Sequence, residues 1–176
     1  EEISSDYNKQ WSWVDSEKGK YLQANSLIES GFKHGFFTHQ WSNKSPKIIS
    51  NYLNPYLSVH LCNQVHGAKI IEASKAIESL LPEADGLISD KQKQSLWIYS
   101  ADCIPALFAD PITGFVVACH AGWRGLSKCI LLKTIQRLEA VGANKKQLII
   151  ALGPAISGEN YHVDLDIIEP IYGSLY

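Results

Sequence analysis

Methionine is absent from all 176 residues. That removes the usual axial ligand of a blue-copper site, although glutamine or a carbonyl can replace it. No apolar run approaches the roughly 18 residues of a membrane span, and the opening EEISSDYNKQ is too polar for a signal peptide. Neither sign of charge dominates. The 16 basic and 18 acidic residues leave a net charge of −2 with no long like-charged block, so neither a nucleic-acid surface nor a membrane patch is expected, and the expected partners are small molecules. The C-x-x-C and H-E-x-x-H zinc motifs are missing, as is the H-x-E with P-C-x-x-C of the zinc deaminases. No internal repeat or low-complexity linker breaks the chain. It does not open on methionine, which leaves a removed leader open.

What is present suits a single domain over residues 1–176: 45% of the residues are apolar and 10% aromatic, enough to bury a core without staples. Four cysteines in a core-rich chain without an export signal read as reduced thiols of a cytoplasmic protein rather than as two disulfides. Cys62, Cys119 and Cys129 stand in apolar strings and read as small buried hydrophobes; Cys103 alone has polar company.

Periodicity and punctuation predict a hairpin in WSWVDSEKGKYLQA turning at Ser16–Gly19, a strand in GFKHGFFTH, and a helix in SPKIISNYL with a serine cap and a proline in its first turn. YLSVHLCN, AKIIEA, ADGLIS, SLWIYSA, PALFA, FVVACH and QLIIAL read as short strands. A helix between HAGWRG and GANKKQ carries the apolar stripe Ile130, Leu131, Thr134, Ile135, Leu138 and Val141, with Gly142 as its stop.

The densest chemistry lies in SADCIPALFADPITGFVVACHAGWRG, Ser100–Gly125. If DPITG turns a hairpin, Cys103 lies opposite Gly122 and His120 opposite Pro105, both at the mouth. His66, just before Gly67, is the natural third donor. Three N/S donors with one open position form the pattern of a catalytic zinc site, and a Cys/His nucleophilic pair is the competing reading. Arg124 between Gly122 and Gly125 is either an anion seat at a helix start or a surface ion pair. Asp102 is a candidate general base or a residue that orients a ligand histidine. Gln64 and Asn63 can reach a base edge or cap backbone. His34, His60 and His162 read as hydrogen-bonded scaffold.

Taken together, QVHG, ADGLIS, ADCIPALFADP, VVACHAGWRGL and LGPAIS resemble, in order and over roughly Gly35 to Asp164, the family called multicopper polyphenol oxidase (laccase-like), peptidoglycan editing factor or purine nucleoside phosphorylase. The resemblance implies that His66, Cys103 and His120 are zinc ligands. It also implies an α+β fold, a mixed-sheet β-sandwich flanked by helices in a cysteine-hydrolase-like α/β/β/α arrangement, with the C-terminal part of the family fold missing. His39 stands where members carry an arginine, which alters a phosphate or substrate contact. The glycine-aspartate loop before QVHG is replaced by WSNKSPKIISNYLNPYL.

The expected function is zinc-dependent turnover of purine nucleosides, by phosphorolysis or deamination of adenosine, with phosphate as co-substrate. Copper is the alternative metal and phenol oxidation the alternative activity, which six histidines and no methionine disfavour. Hydrolytic editing of muramyl peptidoglycan precursors is a third class that the residues do not separate from the first.

Overall fold

A computed structural model describes residues 7–77, 79, 81–164 and 167–169. The chain forms two compact units, Glu1–Pro55 and Tyr56–Tyr176.

The N-terminal unit follows its turn signals. A short helix α1 (Tyr7–Gln10) leads into strands β1 (Trp11–Ser16) and β2 (Gly19–Ala24), which pair antiparallel with Ser16 opposite Gly19. Helix α2 (Asn25–Glu29) follows, and the GFKHGFFTH run yields only a two-residue strand, β3 (Phe36–Phe37), on β2. Aromatic edges make the core here: Trp41 is buried with Tyr21, Phe37 and Tyr52 around it. Helix α3 (Pro46–Leu53) starts as expected, the Ile48 N–H donating to the Ser45 hydroxyl and Pro46 occupying the first turn.

The C-terminal unit is a mixed five-stranded sheet. Strands β4 (Ser58–His60) and β7 (Gln94–Leu96) form a separate parallel pair. The main sheet contains β5 (Ile70–Glu72), β6 (Gly86–Ile88), β8 (Ile104–Ala109), β9 (Val116–Ala121) and β10 (Ile149–Leu152), in the order β10-β8-β9-β6-β5. Strand alternation sends Ile88 to one face and Leu87 to the other, and both are buried because both faces are covered. One face packs on helix α5 (Ile130–Ala140), whose Ile130, Thr134 and Leu138 join Phe108, Val117 and Cys119 in the core. The fold is thus α+β with mixed strand directions and few helices.

The glycine-arginine turn does not open the long helix. It opens a separate five-residue helix, α4 (Trp123–Ser127), and Cys129 then takes a left-handed backbone (φ 57°) before α5 begins. Cys62, Cys103 and Cys119 are free thiols, and Cys129 is half-buried rather than a core residue. Among the described residues no helix is long and apolar enough to cross a membrane.

Candidate metal centre

The β8–β9 hairpin has the register its turn predicts. Pro105 faces His120 and Ile104 faces Ala121, which leaves Cys103 and Gly122 as the next pair at the open end. Gly114, in the turn at φ 75°, supplies the backbone freedom the reversal needs. His66 arrives from the loop between β4 and β5, itself left-handed at φ 56°. Its ring stands edge-on to that of His120, with centroids 4.8 Å apart.

Among the described residues, His66, Cys103 and His120 form the one cluster suited to holding a metal ion, with donor atoms all within 4.8 Å of one another. Two imidazoles and one sulfur make a borderline-soft set that fits zinc or copper. The cluster runs from buried His120 through half-buried Cys103 to exposed His66, so it opens toward solvent on the His66 side. Gly122 lies against it: a Cβ there would stand 3.0 Å from Cys103 Sγ, 3.2 Å from His66 Cδ2 and 3.6 Å from His120 Cε1. Burial, then the nearby carboxylates of Asp102 and Asp85, push the Cys103 thiol above its ordinary range. A thiol so held is a poor free nucleophile, and a metal must displace its proton.

Asp102 is exposed beside Cys103, its carbonyl accepting the Ile156 N–H at 3.0 Å. Arg124 is exposed and lays its guanidinium over the Trp123 ring, 4.2 Å from the centroid. Gly125 is a packing requirement, since a Cβ would come within 2.7 Å of the Gly67 carbonyl. The Gln64 amide grips Tyr99 at both ends, donating to its carbonyl at 2.8 Å and accepting its N–H at 2.7 Å. His39 belongs to the N-terminal unit, where it opens a 3₁₀ turn. His34 and His60 are scaffold as expected. The His34 ring contacts the Phe32 carbonyl and accepts the Ala24 N–H, and the His60 ring contacts Ser58 and the Ala76 carbonyl.

Asp85 escaped the sequence reading. It is wholly buried, and its carboxylate meets the His120 ring at Nδ1, 3.0 Å away, and the backbone N–H groups of Val65, His66 and Gly67. In sequence it is one acid between Ala84 and Gly86, indistinguishable from a turn aspartate; the signal was its place at the head of an apolar strand.

Residues 43–174 match the family model described as multi-copper polyphenol oxidoreductase laccase. A purine nucleoside phosphorylase of Synechocystis is 40% identical over 160 residues, covering 88% of this chain and 60% of its own length. One from Rickettsia conorii is 37% identical over 145 residues, covering 82% and 55%. The chain therefore spans about 55–60% of the length of these relatives. Among solved structures, the Neisseria meningitidis protein NMB0706 superposes with a TM-score of 0.67 at 26% identity, over 93% of this chain and 70% of its own. YlmD from Geobacillus stearothermophilus gives 0.65 at 28% identity, over 71% and 50%.

Proposed function

The chain belongs to the multi-copper polyphenol oxidoreductase laccase family, and on that premise we propose that it is a one-metal enzyme of purine nucleosides, cleaving adenosine with phosphate or deaminating it. The observation that carries the proposal is the His66–Cys103–His120 cluster with Gly122 lying against it. Relatives named purine nucleoside phosphorylase support the substrate class. A zinc ion held by these three residues would supply Lewis acidity toward a substrate oxygen or water. The protein's own groups do the rest. Asp102, exposed beside the cluster, is the proton acceptor in this proposal, and Arg124 with the backbone N–H groups of the Gly122–Gly125 turn seats the phosphate. Gln64 completes the substrate-facing set through the Tyr99 segment it grips, while a substrate contact by His39, in the N-terminal unit, rests on the family resemblance alone.

Donor supply argues against a multicopper centre. His34 and His60 have both ring nitrogens engaged in scaffold contacts, which leaves four of the six histidines for metal. Cys103 must lose its proton in either role, and its place beside two imidazoles, all three donor atoms within 4.8 Å of one another, favours the role of ligand over that of free nucleophile. Free thiols support a cytoplasmic setting, and the α/β/β/α arrangement of cysteine hydrolases is part of the same proposal.

The test incubates zinc-loaded protein, carried on the full-length chain, with adenosine in the presence and absence of phosphate, and separates products by chromatography. Adenine with ribose 1-phosphate, or inosine, is the expected product, and Arg124→Ala raises the phosphate concentration needed for the former. Absence of all three products, with sustained phenol oxidation by a copper-loaded sample, would overturn the proposal.

A further inference from the structure

Asp85 occupies an unusual position for a carboxylate. It is entirely removed from solvent, a placement that is costly for a charge unless every lone pair finds a donor. Its donors come from two separate parts of the site. Oδ2 accepts the Gly67 N–H at 2.6 Å and the Val65 N–H at 3.3 Å, while Oδ1 accepts the His66 N–H at 3.0 Å. Oδ1 also lies 3.0 Å from Nδ1 of His120. The main chain repeats the link, since the His120 N–H donates to the Asp85 carbonyl at 2.7 Å.

We infer that Asp85 is the positioning residue of the metal centre: one buried carboxylate fixes the tautomer of His120 and the left-handed loop of His66 together. A carboxylate oxygen only accepts, so the proton between it and the imidazole sits on Nδ1 of His120. The lone pair of Nε2 is thereby left for a metal. At His66 the effect is on the backbone. A non-glycine residue at φ 56° is uncommon, and three successive N–H groups converging on one carboxylate hold it there. Asp85 thus joins two of the three ligands. Asp102, the sequence's other candidate for orienting a ligand histidine, is exposed beside Cys103. The inference rests on the metal-site reading for its purpose, though not for its geometry.

Two measurements test it. In the wild-type protein without metal, the ring nitrogens of His120 are read by long-range ¹⁵N–¹H correlation, assigned against His120→Gln. The Nδ1–H tautomer is expected, and an Nε2–H tautomer overturns the inference whether or not zinc binds. Then zinc affinity is measured by chelator competition, and the absorption spectrum of the cobalt(II) form is recorded, for wild type and Asp85→Asn. Affinity is expected to fall roughly 10- to 100-fold with a changed ligand-field spectrum. Unchanged affinity and spectrum in a folded Asp85→Asn overturns the role. If Asp85→Asn does not fold, the wild-type tautomer alone decides. Failure of wild-type protein to bind zinc or cobalt, with the Nδ1–H tautomer present, would sink the metal reading and leave the tautomer assignment standing.

Discussion

The absent side chain of Gly122 matters as much as the three that are present. A Cβ at that position would lie 3.0 Å from the Cys103 sulfur and 3.2 Å from a His66 ring carbon, closer than ordinary contact allows. Gly122→Ala must therefore push ligand side chains apart. The cost of such overpacking is about 1–3 kcal/mol, equivalent to a roughly 5- to 150-fold loss of zinc affinity by chelator competition. Cys103 lies half-buried at the open end of the hairpin and has room to shift, so the melting temperature of the metal-free protein is expected to change little; a large drop there with normal affinity would contradict this account. The donors themselves were legible in the sequence because each sits beside a turn or glycine that ends a strand. Asp85 was not, because its partners lie 18 to 35 residues away and are met only through the pairing of β6 with β9 and the return of the His66 loop.

Between residue and molecule stands the β8–β9 hairpin, which carries Cys103 and His120 of the candidate cluster at its mouth and a glycine with φ 75° in its turn. Nothing lies within 4 Å of a Cβ built on Gly114, so Gly114→Ala meets no steric contact. Its cost is conformational, about 1–2 kcal/mol for a left-handed non-glycine residue. Six ladder pairs separate that turn from Cys103 and four separate it from His120, and stability is expected to fall in denaturant titration while zinc affinity holds. Affinity falling in step with stability would mean that the mouth depends on the turn. The register of this hairpin was readable because Asp110, Pro111 and Gly114 define one turn. The break between α4 and α5 was not, since no glycine or proline marks Cys129, and an uninterrupted apolar stripe runs on from Ile130. The strand around Phe36 and Phe37 proved short because only those two residues pair with β2.

At the scale of the molecule, the C-terminal unit buries two thiols, Cys62 and Cys119, that lie outside the His66–Cys103–His120 cluster. Burial first, and then the Asp85 charge, pushes Cys62 up to about 11; burial alone dominates for Cys119, pushed up to about 12, against an unfolded value of 9.0 for each. Below pH 9 both thiols are protonated whether the chain is folded or not, and they add no pH dependence. Above it the unfolded chain releases protons that the folded one retains, so each thiol lowers stability by roughly 1.4 kcal/mol per pH unit until its folded value is reached. The melting temperature in reductant is therefore expected to decline from about pH 9 upward, and to decline less steeply in Cys119→Ala, whose small cavity costs the same at every pH. A melting temperature that stays level from pH 8 to about pH 10.5, or an equal slope in the variant, would show that these thiols titrate freely in the folded state. The same melts address the domain count, because Trp11, Trp13 and Trp41 report on the N-terminal unit and Trp97 and Trp123 on the C-terminal one. We propose that both units unfold as the one domain expected from chain length, so that tryptophan fluorescence and far-ultraviolet dichroism trace one coincident transition. Two separated transitions, only one of them moving with pH, would assign the alkaline lability to the C-terminal unit alone and make the N-terminal unit a domain of its own.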